Sequence, residues 1–248
     1  MPSLPTKWRW FSIEAYRELP ATRRPGAGRY FLVALSVFYF GVAVVGFADE
    51  VFGSVDLAHP LLAYMHGTFM FAWFLLFIVQ TSLAASGLLK WHRSLGLAAI
   101  GLAAAMLISM GVVSVAQLGK FKTYATLLVQ LLTMVQFGVF FSWGVVVRRN
   151  PGAHKRLLTL ATLVLLQAAV DRMPWLPGLG LTDYWPFAAR LYVLLIPLFV
   201  FDGVSIKRVH PITIVGTGTI VAAHAVASLF WKTPGWLSLA HAMTDPFR

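Results

Sequence analysis

The chain has no cysteine. That excludes disulfides, thiolate metal sites, cysteine-held iron–sulfur clusters and cysteine nucleophiles. It is also poor in charge. Charged residues make up 12% of the 248, and only nine are Asp or Glu. A soluble domain carries roughly 25% charged residues. So few charges cannot cover a water-facing surface, and lipid is the natural alternative solvent. No nucleotide-binding loop, His-Glu-x-x-His zinc motif or Ser/His/Asp arrangement is present. Gly216-Thr217-Gly218 sits inside an apolar run with no strand before it, which excludes a phosphate loop. With no acidic cluster inside the apolar runs, magnesium-pyrophosphate chemistry is disfavoured.

What is there is apolar: 58% of residues are hydrophobic and the mean hydropathy is +0.75. A bilayer core of about 30 Å needs about 20 such residues per crossing. Runs of that kind predict spans at 30–48, 60–86, 94–117, 124–147, 156–171, 187–202 and 211–231. The sixth is the shortest and contains Pro197. The expected fold is an all-α bundle of about seven transmembrane helices. Three segments follow: a basic, Trp-rich stretch over 1–29, the membrane domain over 30–231 and a short tail over 232–248. Gly46-Phe47-Ala48 is a passable cleavage site, but the polar leader before the first run is too long for a usual signal peptide. The first run is therefore expected to stay as a helix.

The net charge of +11 reads as a topology signal and not as nucleic-acid binding. With the N-terminus inside, the inner segments hold Lys7, Arg9, Arg17, Arg23, Arg24, Arg29, Lys90, Arg93, Arg148, Arg149, Lys155, Arg156, Lys207 and Arg208. That is fourteen of the twenty Lys and Arg. The outer segments hold Lys120, Lys122, Arg172, Lys232 and Arg248, with Arg190 at the outer end of the sixth span. Asp49, Glu50, Asp56, Asp171, Asp183 and Asp245 fall outside. The expected orientation is N-terminus inside and C-terminus outside. Small-residue pairs such as Gly101/Ala105 and Ala223/Ala227 suit close helix approach.

Histidines carry most of the chemical information. His66 and His224 lie well inside the second and seventh spans, each roughly 10 Å below the outer surface. His59, His66, Trp73 and Gln80 recur at seven-residue spacing, as do His210, Thr217, His224 and Trp231. Seven residues is nearly two turns, so each set forms one stripe, expected to face the bundle interior. Two imidazoles at one depth are what a bis-His haem needs, and His66 and His224 are the first candidate iron ligands. His92 and His154 open the third and fifth spans and are candidates for a second, inner cofactor level. With His210 at the seventh, they form a faint internal echo, as a duplicated hairpin would. The plain alternative is that the inner histidines cap carbonyls or meet lipid headgroups, and that the buried ones bond to neighbouring polar groups. His241 is expected to lie idle in the tail.

Among the other polar residues, Gln80, Gln130, Gln136 and Gln167 could donate to a quinone carbonyl. More commonly such groups bond across helices. Arg190 and Gln136 are candidate substrate-binding residues, Arg190 for an anion such as a haem propionate. An Arg190–Asp171 ion pair is the structural expectation for those two.

His92-Arg93-x-Leu95-Gly96, following a Trp- and Gln-bearing helix, resembles families of bacterial multi-spanning membrane proteins with a His-Arg-x-x-Gly-like helix start. The resemblance covers residues 59–115 and implies the bacterial inner membrane. The sequence thus leads to a possible haem b electron carrier in the bilayer, with a quinone or other redox partner. A non-enzymatic membrane subunit or small-molecule transporter with structural histidines is the alternative.

Overall fold

The computed structural model describes residues 28–53, 60–116, 124–173, 175–176 and 185–245. These form helices and no strand: α1 (Gly28–Gly46), α2 (Ala48–Phe52), α3 (Pro60–Ala85), α4 (Leu89–Ala116), α5 (Tyr124–Val146), α6 (Pro151–Leu165), α7 (Gln167–Val170), α8 (Trp185–Val193), α9 (Ile196–Ile206), α10 (Pro211–Phe230) and α11 (Pro234–Thr244). Six stretches are long and apolar enough to cross a membrane: Leu61–Ala85, Leu89–Ala116, Thr126–Val146, Pro151–Val170, Ala188–Ile206 and Pro211–Phe230. Tyr30–Gly46 is apolar but shorter. The chain is therefore a multi-pass membrane protein with a helical bundle. The N-terminal basic segment, His59, Lys120, Lys122 and most of the 172–186 loop lie outside the described residues.

Local chemistry explains where the helices start and stop. Asn150 caps α6 by accepting from the Ala153 N–H at 3.1 Å, with Pro151 in the first helical position. Thr233 and Pro234 repeat the device at α11. Gly87 ends α3 at φ 77°, with the Leu88 N–H bonding the Leu83 carbonyl and the Gly87 N–H bonding that of Ala84. This left-handed turn is the glycine-dependent helix stop that reverses the chain into α4.

Burial is inverted relative to a soluble protein. Large apolar side chains such as Leu97, Ile108, Val146 and Leu229 are about 70% exposed, facing where lipid would lie. The most enclosed span is α6 with α7, although it carries Arg156, Thr159 and Thr162. Its polar groups are spent inside the bundle. The Trp73 indole, for one, donates to Thr162 Oγ1 at 3.2 Å. Glycine leaves room for close neighbours at two helix contacts. A Cβ at Gly46 would strike Ala169 of α7, and one at Gly216 would strike Leu160 of α6. Gly101, expected from the sequence to sit in such a contact, faces open space.

Three span limits differ from the sequence reading, each for a physical reason. The third span, α4, starts at Leu89 and the fifth, α6, at Pro151, so both take in their basic first turns. The sixth crossing runs to Ile206, past Asp202, because Asp202 is fully buried in an ion pair with Arg156. It is also broken at Leu194-Leu195, just before Pro197. Proline clashes with the preceding turn and removes a donor, and the Leu198 N–H bonds Leu195 instead of Leu194. The Leu194 carbonyl is taken by the Tyr39 hydroxyl of α1 at 3.0 Å. Tyr39→Phe should therefore strand a buried carbonyl and cost about 1–3 kcal/mol. A thermal melt of the purified variant in detergent reads this directly, and an unchanged midpoint would refute the assignment.

Several members of the seven-residue stripes turn toward the bundle, while His59 lies outside the described residues. Trp73 and His224 are buried, His66 bonds Ser109, and the Gln80 carbonyl receives His92.

Candidate cofactor site

Helices α3 and α4 form one hairpin, and α5 and α6 a second. In each, a histidine is the fourth residue of the returning helix: His92 in α4 and His154 in α6. Each reaches back to a carbonyl of the preceding helix. His92 Nδ1 lies 3.2 Å from the Gln80 carbonyl, and His154 Nδ1 lies 2.8 Å from that of Gly144. A carbonyl only accepts, so both Nδ1 atoms carry the proton and both Nε2 atoms carry a lone pair. This is the arrangement that orients and enriches a metal-binding imidazole. The echo in the sequence thus has a structural counterpart, one His per hairpin at one register.

The two rings meet. Their centroids are 6.2 Å apart and their planes 89° apart. Around them the sequence places Lys90, Arg93, Arg148, Arg149 and Lys155, so this end of the bundle is cationic. The Gln80 Oε1 is buried without a hydrogen-bond partner among the described residues. No group of three or more His, Cys, Asp or Glu that could hold a metal ion occurs among the described residues. What the cationic end offers is a pair of imidazoles.

Beside the pair lies a buried ionic network. Arg156 is 1% exposed and Asp202 is 0% exposed. The guanidinium donates to Asp202 Oδ1 at 2.7 Å through Nε, forms an ion pair with the same oxygen, and donates through Nη1 to the Gly152 carbonyl. Asp202 Oδ2 accepts from the His210 N–H and from Thr213 Oγ1, both at 2.7 Å. One carboxylate thus ties α6, α9 and the start of α10 together. The sequence reading treated Arg156 as a loop cation and singled out nothing at Asp202. The available signal was an acid stranded in an apolar run, which is costly without a partner.

His210 caps α10, its Nδ1 accepting from the Ile212 N–H at 3.1 Å. Burial first, then the nearby positive charge of Arg156, lowers its pKa from 6.5 to about 4. A depressed histidine contributes stability that is present above pH 6.5 and lost as pH falls through 4. Protonation would also convert the capping acceptor into a donor. The protein should lose roughly 3 kcal/mol from this group between those limits. The test compares unfolding of the wild type with His210→Asn, which keeps a cap but does not titrate. Parallel pH profiles would contradict the account.

At the opposite end, the sequence-predicted ligands His66 and His224 have different neighbours. His66 Nδ1 is 2.9 Å from Ser109 Oγ of α4. His224 Nδ1 is 3.0 Å from the Tyr192 hydroxyl of α8, with the rings 5.4 Å apart. Of the four candidate haem ligands, the pair shown in ring contact is His92 and His154. Arg190 donates to the Leu176 carbonyl at 3.0 Å, and Gln136 is buried. Asp171 accepts from Gln167, while Arg172 pairs with Glu50. His241 is not idle: its ring lies 3.7 Å from that of Tyr124, and Trp236 of the same helix donates to the Tyr124 carbonyl. The Thr-Pro start of α11 was the sequence signal for that docked helix.

Comparison with protein-family models, curated proteins and solved structures gives no match.

Proposed function

We propose that this chain is a b-type haem electron carrier of the bacterial cytoplasmic membrane, with haem iron held between His92 and His154. The observation that carries this reading is the pair of imidazoles with Nδ1 anchored, Nε2 available and ring centres 6.2 Å apart. Metal–imidazole bonds of about 2 Å, plus about 1 Å from each nitrogen to its ring centre, mean that two imidazoles sharing one metal would have ring centres roughly 6 Å apart, so His92 and His154 would be the residues to hold the group. The site's positive rim suits the propionates of a haem better than a bare divalent cation. Counting Gly28–Gly46 as a crossing gives seven passes, with the cationic end in the cytoplasm by the distribution of Lys and Arg. The pair then sits at the inner face, and His66 and His224 mark the outer level.

The group, when bound, would supply one-electron chemistry. The chain's part is to present two neutral imidazoles, fix their orientation through the Gln80 and Gly144 carbonyls and exclude water with the surrounding helices. Haem extracted from protein expressed with haem available should approach one per chain. A chain purified without haem under those conditions overturns the reading.

A further inference from the structure

Three turns share one end of the bundle: residues 86–88 between α3 and α4, 147–150 between α5 and α6, and 207–210 between α9 and α10. Side-chain contacts hold them together. The first two meet through the His92 and His154 rings. The third joins the second because Asp202 takes both Arg156 and the His210 N–H. A Cβ at Gly152 would lie 3.6 Å from His210 Nε2.

Each turn, or the helix start that follows it, carries two exposed cations: Lys90 and Arg93, Arg148 and Arg149, and Lys207 and Arg208. Lys155 and Arg156 turn inward instead, over the Phe201 ring at 4.7 and 5.3 Å. Among the described residues, the one acid at this end is Asp202, which is fully buried. Those residues therefore offer the six cations no exposed counter-charge.

The height of the charge decides its partner. No turn is longer than four residues, so the cations stand at the helix ends. Exposed apolar side chains sit beside them. Leu89 and Trp91 flank Lys90, Val146 lies two residues before Arg148, and Val209 follows Arg208. Apolar groups and tryptophan at such a level belong in the boundary between acyl chains and headgroups. Lys and Arg this close to the boundary meet headgroup phosphates, whereas an acidic soluble partner needs cations carried clear of it.

We propose that the three turns form one binding surface for anionic phospholipid. The six exposed cations take headgroup phosphates, while Leu89, Trp91 and Val146 meet the acyl chains. A choline headgroup carries its own positive charge and is attracted less. Neither imidazole is used as a ligand, so this surface stands or falls apart from the haem.

The test uses the full chain in phosphatidylcholine vesicles with a trace of spin-labelled phosphatidylglycerol or spin-labelled phosphatidylcholine. Electron paramagnetic resonance reads the fraction of each label that the protein holds immobile. At low salt the wild type should associate with the glycerol lipid about threefold more strongly than with the choline lipid, averaged over the whole lipid shell. At about 1 M salt, where the screening length is about 3 Å, the two should become equal. Arg148→Gln, Arg149→Gln removes two of the six cations and should lower the ratio to about twofold. Arg148→Lys, Arg149→Lys should keep the wild-type ratio. So should Lys232→Gln, which removes a cation at the other end of α10. Circular dichroism confirms that each variant is folded, and Lys90→Gln, Arg93→Gln takes the place of the first pair if that pair is not. Equal association of the two lipids at low salt would overturn the proposal and leave this face to an acidic soluble partner. A preference that survives about 1 M salt, or one that Lys232→Gln lowers as far as the paired glutamines do, would overturn it as well.

Discussion

Asp202→Ala should destabilise the protein by about 3–5 kcal/mol, the largest effect expected of any single substitution in the bundle. The substitution leaves the Arg156 guanidinium buried with no counter-charge. It also takes away the acceptor of the His210 N–H and the Thr213 hydroxyl, which loosens the start of α10. Asp202→Asn keeps an acceptor for those two donors but still strands the guanidinium, so most of the loss should remain. Arg156→Met in the Asp202→Asn background removes the stranded charge and fills its volume. That double variant should recover more than half of the loss, because a buried ion pair and an apolar replacement are often close in stability. With Arg156→Met alone added, the wild type, the Asp202→Asn and Arg156→Met single variants and the double variant form a double-mutant cycle read by unfolding in detergent. Additive losses would mean that the two residues do not depend on one another.

His92→Ala and His154→Ala should each abolish the low-spin haem, whereas His66→Ala and His224→Ala should leave it in place. The difference follows from geometry. His92 and His154 share ring contact and a common anchoring to the turn end of their hairpins. His66 and His224 bond Ser109 and Tyr192 on different helices. One remaining imidazole cannot complete a six-coordinate iron, so each inner variant should lose the whole signal and not half of it. The low-spin absorption of the four variants, purified alongside the wild type, gives the answer. Loss in His66→Ala or His224→Ala with retention in the inner variants would move the cofactor to the outer level.

Much of the bundle was legible in the sequence because lipid imposes a simple rule. Apolar runs of crossing length are visible residue by residue, and they recur as helices near the expected limits. The limits failed where charge was neutralised out of view. Arg156 and Asp202 looked like span ends, yet each enters the membrane domain by pairing with the other, 46 positions away. Pairing at that separation leaves no local pattern. The seven-residue stripes correctly turned His66, Trp73 and His224 toward the bundle. Depth along a helix, however, does not fix which neighbour a side chain meets: His66 meets Ser109 and His224 meets Tyr192. The repeat of a histidine at the start of successive returning helices has a structural counterpart in the ring contact of His92 and His154. That contact joins two hairpins and leaves no local pattern in the sequence. The capping carbonyls of Gln80 and Gly144 belong to the backbone and leave no trace in side-chain identity.

The central claim is that His92 and His154 together hold a haem. A dithionite-reduced minus oxidised visible spectrum of the detergent-purified protein, beside that of the His92→Ala, His154→Ala double variant, tests it most directly. The account predicts sharp low-spin b-type bands in the wild type and a flat trace in the folded double variant. A flat trace from both, or the same bands in both, would contradict it.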